Sequence, residues 1–103
     1  MQWPSKGKKD MSKISDKRSH IHITEIELVL RGVYSKIVHQ LEIKGYGTWQ
    51  STDEIRGVVQ REIHELDEAI HKKNIDEIRS ELMDIAVACV FGISCIDAKK
   101  VDW

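Results

Sequence analysis

Two stretches decide the fold: residues 61–70, REIHELDEAI, and residues 80–93, SELMDIAVACVFGI. Both place apolar residues three and four positions apart, which is the period of an amphipathic α-helix. Each stretch also holds two acids at i, i+3 spacing, namely Glu62 with Glu65 and Glu81 with Asp84. Residues at this spacing share one face of a helix. The sequence therefore predicts two helices that each present a pair of carboxylates.

The helical neighbours of these acids are what makes them unusual. Glu62, Glu81 and Asp84 have no basic residue three or four positions away on their helices. Glu65 has one, Arg61, in the weaker order in which the basic residue comes first. Ionised carboxylates beside apolar stripes lower the stability of the fold when they are buried, unless a cation neutralises them. We expect the missing cation to be a metal ion.

Composition favours a small all-α domain. The chain has 103 residues with a single proline, and 32% of them are charged, which suits helices better than strands. The net charge of −1 gives no reason to expect a nucleic acid polymer or an anionic membrane as partner. The sequence has no apolar run of membrane-spanning length and no apolar signal region at its start. With Cys89 and Cys95 read as buried reduced thiols, we expect a cytoplasmic protein.

The chain is expected to divide into two parts. Residues 1–22 are polar and basic without a hydrophobic period, and are predicted to form a flexible N-terminal arm. Residues 23–103 are predicted to form one helical domain. The uncharged run at residues 85–96 belongs to a helix that is apolar all round, and such a helix is buried on all sides. We expect antiparallel helices in a four-helix-bundle-like core that is completed by oligomerisation.

Start signals place three helices in the second part. Thr24 and Glu27 fit a capping box at the start of the first helix, and Ser51 and Glu54 fit another at the start of the second. Asn74 is a good N-cap for the third helix. The short connection around Asn74 makes the second and third helices antiparallel neighbours. Their four acids are then expected to converge, although ordinary solvated helix faces would show the same residue types.

Clustered carboxylate oxygens suit hard cations, above all Mg²⁺, with Mn²⁺ as the alternative. Mg²⁺ shares its coordination with substrate phosphates, so the cluster indicates metal-assisted phosphoryl or nucleotidyl chemistry. A second reading is a non-catalytic helical module, such as a regulatory subunit that works as an oligomer. Both readings agree with the apolar run at residues 85–96.

The two motifs resemble those of the MazG-like all-α nucleoside triphosphate pyrophosphatases. The specific part is the Glu-x-x-Glu of EIHELDEAI followed by the Glu-x-x-Asp of SELMDIA, and the likeness covers residues 24–96. The resemblance implies dimers or tetramers, with Mg²⁺ held by Glu62, Glu65, Glu81 and Asp84. It also implies hydrolysis of a nucleotide to the monophosphate and pyrophosphate, with Glu62 or Glu65 orienting the attacking water.

Candidate substrate contacts lie around these motifs. Tyr46 and Trp49, in the loop after the first helix, are candidates for stacking on a nucleobase, while Trp49 is an equally good anchor of that loop to the core. Lys44 and Arg61 are candidates for phosphate contact, and Arg61 stands where many family members have a further glutamate. Many members also have a longer fourth helix, whose basic and amide residues help to hold the phosphates. Lys99 and Lys100 are the candidates for that role here, and Lys99 is the one we predict to contact substrate.

Overall fold

The computed structural model describes residues 18–103, which form three α-helices in succession. These helices are α1 (Ile23–Lys44), α2 (Thr52–His71) and α3 (Ile75–Asp97). The described residues contain no β-strand, so the prediction of an all-α fold is confirmed. Most of the predicted basic arm, residues 1–17, lies outside the described residues. None of the described helices is both long enough and apolar enough to cross a membrane.

The start of α1 differs from the prediction. His22 is its N-cap, and the Nδ1 atom of His22 accepts a hydrogen bond from the backbone N–H of Thr24 at 3.2 Å. The helix therefore begins at Ile23, and the capping box predicted at Thr24 and Glu27 is wrong. An imidazole nitrogen can satisfy an unpaired N–H at a helix start as a serine or aspartate oxygen does.

The other two helix starts follow the predicted caps. Ser51 Oγ accepts from the backbone N–H of Glu54 at 3.1 Å. Glu54 Oε1 in turn accepts from the backbone N–H of Gln50 at 2.8 Å, one residue before the usual capping-box donor. The side chain of Asn74 accepts from the backbone N–H groups two and three residues further on, each at 3.1 Å. The start of α2 and the start of α3 are thus fixed by local hydrogen bonds.

The closest helix pair is α2 with α3, and α1 packs on α3. The turn between α2 and α3 is short, so the two helices run antiparallel, and Lys73 adopts a positive φ of 56° within that turn. The buried apolar core is small: it consists of Val33, Ala69, Val87, Ala88 and Cys95. Since α3 touches both other helices, it is the central element of the described fold.

The loop between α1 and α2 is held against α3 by an aromatic contact. The Trp49 and Phe91 rings meet edge to face, with centroids 5.0 Å apart. A Cβ atom on Gly92 would lie 3.4 Å from the Trp49 ring, so the glycine allows the indole to lie directly on the helix. α3 continues through Gly92 without a break. Trp49 therefore does anchor its loop to the core.

The last residues of the chain lie beside the start of α2. The backbone N–H of Asp102 donates to the Gln50 carbonyl at 2.7 Å, and the N–H of Thr52 donates to the Asp102 carbonyl at 3.1 Å. Lys99, in the preceding turn, has a positive φ of 59°. The C-terminal segment and the α1–α2 loop thus support each other.

Much of the apolar surface of the helices faces outwards. On α3 an exposed set with helical spacing, here called the α3 stripe, consists of Leu82, Val90, Ile93 and Ile96. A similar set on α1, the α1 stripe, consists of Ile23, Ile26, Leu30 and Tyr34. The run at residues 85–96, predicted to be buried on all sides, is buried on one side within a single chain, because α1 and α2 cover only one face of α3. Cys95 is buried as predicted, but Cys89 is exposed, so that prediction was wrong for Cys89.

Candidate metal centre and adjoining cavity

The packing of α2 on α3 brings three of the acids together. Glu62 from α2 and Glu81 and Asp84 from α3 each place one carboxylate oxygen within 4.8 Å of the other two. We call these three residues the acidic trio. Three negative groups at this separation repel one another strongly unless protons or cations reduce their charge.

The fourth acid, Glu65, lies next to the trio. It is half-buried on α2, and it lies close enough to Glu81 to raise the pKa of that acid. Glu65 therefore adjoins the acidic trio, but it is not one of the three residues whose oxygens converge.

Two oxygens of the acidic trio are buried without a partner. The Glu62 side chain is only 13% exposed. Glu62 Oε2 and Glu81 Oε2 are inaccessible to water and have no hydrogen-bond partner among the described residues. Leaving a buried acceptor unpaired is costly, and anionic oxygens are the ligands that hard divalent cations prefer. The donor set and the unpaired oxygens therefore fit a bound Mg²⁺ or Mn²⁺ ion.

The surroundings raise the proton affinity of two of these acids. Burial raises the pKa of Glu62, and the negative charges of Glu65 and Asp84 raise this pKa further, while nearby Arg61 lowers it in part. Burial also raises the pKa of Glu81, and the neighbouring Glu65 and the surrounding carboxylate charges raise it further. Both effects disfavour the ionised acids, as expected where negative groups converge without enough positive charge.

A basic side chain from α1 also reaches the acidic trio. The Nζ atom of Lys36 donates to Asp84 Oδ1 in a short ion pair in which both side chains are about one-third exposed. Asp84 therefore has a cationic partner, although no basic residue lies three or four positions away on its own helix. The cation comes from another helix, which helical spacing does not reveal. The available signal was the position of Lys36, three residues after Val33, on the side of α1 that packs on α3.

A cavity of about 370 Å³ adjoins the acidic trio. Glu62 and Asp84 form part of its lining, together with the basic residues Lys44 and Arg61 and the indole of Trp49. Arg61 Nη2 lies 3.7 Å from Glu62 Oε1, but its side chain is 65% exposed, so this ion pair is weak. Acidic, basic and aromatic groups thus face one space that is large enough for a small molecule.

Two of the residues predicted to bind substrate lie elsewhere. Tyr46 is in the same loop as Trp49, but its side chain is 71% exposed and does not line the cavity. Lys99 is exposed in the turn after α3 and does not line the cavity either. Lys44, Trp49 and Arg61 are therefore the predicted substrate contacts that the fold brings to the cavity.

Comparisons of this chain with protein-family models, with curated proteins and with solved structures gave no match. The likeness to the MazG-like pyrophosphatases therefore rests on the two motifs in the sequence.

Replacing Glu62 with glutamine is expected to stabilise the metal-free protein at neutral pH. The folded state raises the pKa of Glu62, so it binds protons more tightly than the unfolded chain and gains stability as the pH falls through the raised value. At about pH 7 the ionised Glu62 destabilises the fold, whereas glutamine mimics the protonated acid. Thermal melts in a chelator should show a midpoint a few degrees higher for Glu62→Gln, and the gain should shrink towards about pH 4.5.

In the presence of Mg²⁺ the wild type, and not Glu62→Gln, should have the higher melting midpoint. A bound cation stabilises the native state of the wild type, and the glutamine variant has lost one ligand. Glu68→Gln is the matched control, because Glu68 is an exposed acid on the same helix with His64 Nε2 3.6 Å away. A lower midpoint for metal-free Glu62→Gln at neutral pH would contradict this view of the site.

Proposed function

We propose that this protein is a Mg²⁺-dependent nucleotide pyrophosphohydrolase that converts a nucleoside triphosphate to the monophosphate and pyrophosphate. The observation that supports it most is the acidic trio, with its two unpaired buried oxygens, beside a cavity that also presents positive charge and an indole ring. A nucleoside triphosphate has a planar base and a polyanionic tail that travels with a divalent cation. The chemistry of the cavity is complementary to each of these parts.

In this proposal Glu62, Glu81 and Asp84 hold the metal ion, with Mn²⁺ able to replace Mg²⁺. When bound, the ion neutralises phosphate charge and makes water a better nucleophile. The trio supplies three anionic oxygens, while Mg²⁺ favours six ligands and keeps several waters. Positions therefore remain for water and for substrate oxygens.

The remaining groups of the cavity hold the nucleotide. The Trp49 indole offers a flat surface for a base, and stacking of this kind tolerates different bases. Lys44 and Arg61 contribute positive charge for the phosphates, and the forked guanidinium of Arg61 suits two oxygens of one phosphate group. Since Arg61 is only weakly paired with Glu62, its guanidinium can turn to a phosphate at little cost.

The reaction needs a group that removes a proton from the attacking water. The water oxygen bonds to the α-phosphorus, and the bond from that phosphorus to the oxygen bridging to the β-phosphorus breaks. The electron pair leaves with pyrophosphate, and the water proton passes to a carboxylate. We assign this role to Glu65, which lies beside the trio without being part of it. Glu62, whose pKa is raised, is the other candidate base.

We also propose that the protein works as a homo-oligomer. The α1 and α3 stripes leave large apolar side chains in water, with Ile93 59% exposed and Leu30 58% exposed. Contiguous exposed apolar surface of this kind is typical of subunit interfaces. Helices of a second copy packed on these stripes would complete a four-helix-bundle-like core around α3.

A non-catalytic helical module is the alternative, and one observation favours it. The ion pair between Lys36 and Asp84 already neutralises one member of the acidic trio, as a structural polar cluster would require. Such a module would self-associate through the same stripes but release no pyrophosphate from nucleotides. The two functions therefore differ in catalysis and not in assembly.

A panel of nucleoside triphosphates assayed for pyrophosphate should separate two classes of variant. Asp84→Asn is expected to lose both Mg²⁺ binding and turnover, because a metal ligand is gone. Glu65→Gln is expected to keep Mg²⁺ binding but lose at least about 100-fold in kcat, because an amide cannot accept the proton. Mn²⁺ binding followed by calorimetry reports on the first property, and pyrophosphate release reports on the second.

Glu68→Gln again provides the control and should retain full activity. The mechanism is wrong if Glu65→Gln turns over at the wild-type rate. The enzyme hypothesis fails, and the module is favoured, if the wild type releases no pyrophosphate from any nucleotide in the panel.

Self-association is expected to depend on the α3 stripe. Ile93→Lys places a charge within that stripe and should shift the protein towards monomer in sedimentation equilibrium, because burying an unpaired ammonium is costly. Ile43→Lys is the control, since Ile43 is 67% exposed but belongs to neither stripe. A wild-type protein that is already monomeric at high concentration would contradict the proposed assembly.

A further inference from the structure

Lys36 is the closest positive charge to the acidic trio in the described part of the chain. Its Nζ atom donates to Asp84 Oδ1 and joins two helices across 48 residues of sequence. The other cation near the trio, Arg61, lies 3.7 Å from Glu62 and is largely exposed. Lys36 therefore provides the strongest neutralisation that the described residues give to these acids.

The ammonium of Lys36 and a metal ion bound by the trio would compete for the same oxygens. Asp84 is one of the three convergent carboxylates, and the Lys36 ammonium bonds directly to one of its oxygens. A divalent cation carries twice the charge and gains from all three carboxylates at once. The two cations also repel each other at this short range. Both cannot hold Asp84 closely at the same time without a large electrostatic cost.

We propose that Lys36 is a resident counter-ion of the acidic trio, which a divalent metal ion displaces from Asp84 when it binds. The proposal rests on the metal site of the proposed function. The lysine stem has four flexible carbons, and its side chain is about one-third exposed, so the ammonium can move into water while α1 stays in place. Lys36 thereby keeps the trio partly neutralised before metal arrives, and it lowers the affinity for the metal by competition.

Metal binding without nucleotide tests this competition. Lys36→Met removes the ammonium but keeps most of the apolar stem. This variant should bind Mn²⁺ on the order of tenfold more tightly than the wild type does. Calorimetry on the full chain gives the affinity directly. Lys72→Met is the matched control, because it breaks a lysine–carboxylate pair away from the trio, with Lys72 Nζ 3.8 Å from Glu77 Oε2, at the turn between α2 and α3. Its Mn²⁺ affinity should stay within about twofold of the wild type.

The wild-type protein offers a second readout that does not depend on the stability of a variant. An ammonium held in an ion pair gives a distinct side-chain nitrogen resonance in NMR. The Lys36 resonance is identified by its loss in Lys36→Met, or in Lys36→Arg if the methionine variant does not fold. Titration with Mg²⁺ should move this resonance towards the position of the solvent-exposed lysines.

The possible failures can be told apart. If the wild type binds Mn²⁺ but Lys36→Met binds it equally or more weakly, Lys36 is not a competitor, and the metal site of the proposed function still stands. A Lys36 resonance that does not change under saturating Mg²⁺ leads to the same conclusion. If neither protein binds Mn²⁺, the metal site itself is refuted, and the role of Lys36 falls with it.

Discussion

The repulsion among three carboxylates held within 4.8 Å of one another is the constraint on which the rest of this molecule depends. The packing of α2 on α3 imposes it, and two buried unpaired oxygens add to its cost. The Lys36 ammonium reduces that cost, and the cost that remains is expressed in the raised pKa of Glu62 and of Glu81, which burial and mutual repulsion cause. Sites that oppose folding in this way are commonly functional.

The elements around the acidic trio create the cavity beside it. Gly92 lets the Trp49 indole lie on α3, which fixes the loop after α1 and places an aromatic surface in the lining. The backbone bonds of Asp102 brace the other end of that loop at the start of α2. Structural anchoring and substrate contact are therefore compatible roles for Trp49, because the same indole packs on Phe91 and faces the cavity.

The sequence predicted the features that depend on residues close to one another in the chain. The caps at Ser51 and Asn74 act within a few residues, and the short turn after α2 is enough to bring Glu62 towards Glu81. Contacts between distant elements could not be predicted in this way. The pairing of Lys36 with Asp84 depends on how α1 lies across α3, which no helical spacing encodes. The cap at His22 was missed because histidine is an uncommon capping residue.

Anomalous scattering from crystals of the full chain grown with Mn²⁺ would directly test whether the acidic trio is a divalent metal site. We expect an anomalous peak between the carboxylates of Glu62, Glu81 and Asp84, with at least one oxygen of each residue bound to the ion. A difference map that places Mn²⁺ elsewhere on the chain, or shows none at the trio under saturating Mn²⁺, would contradict that expectation.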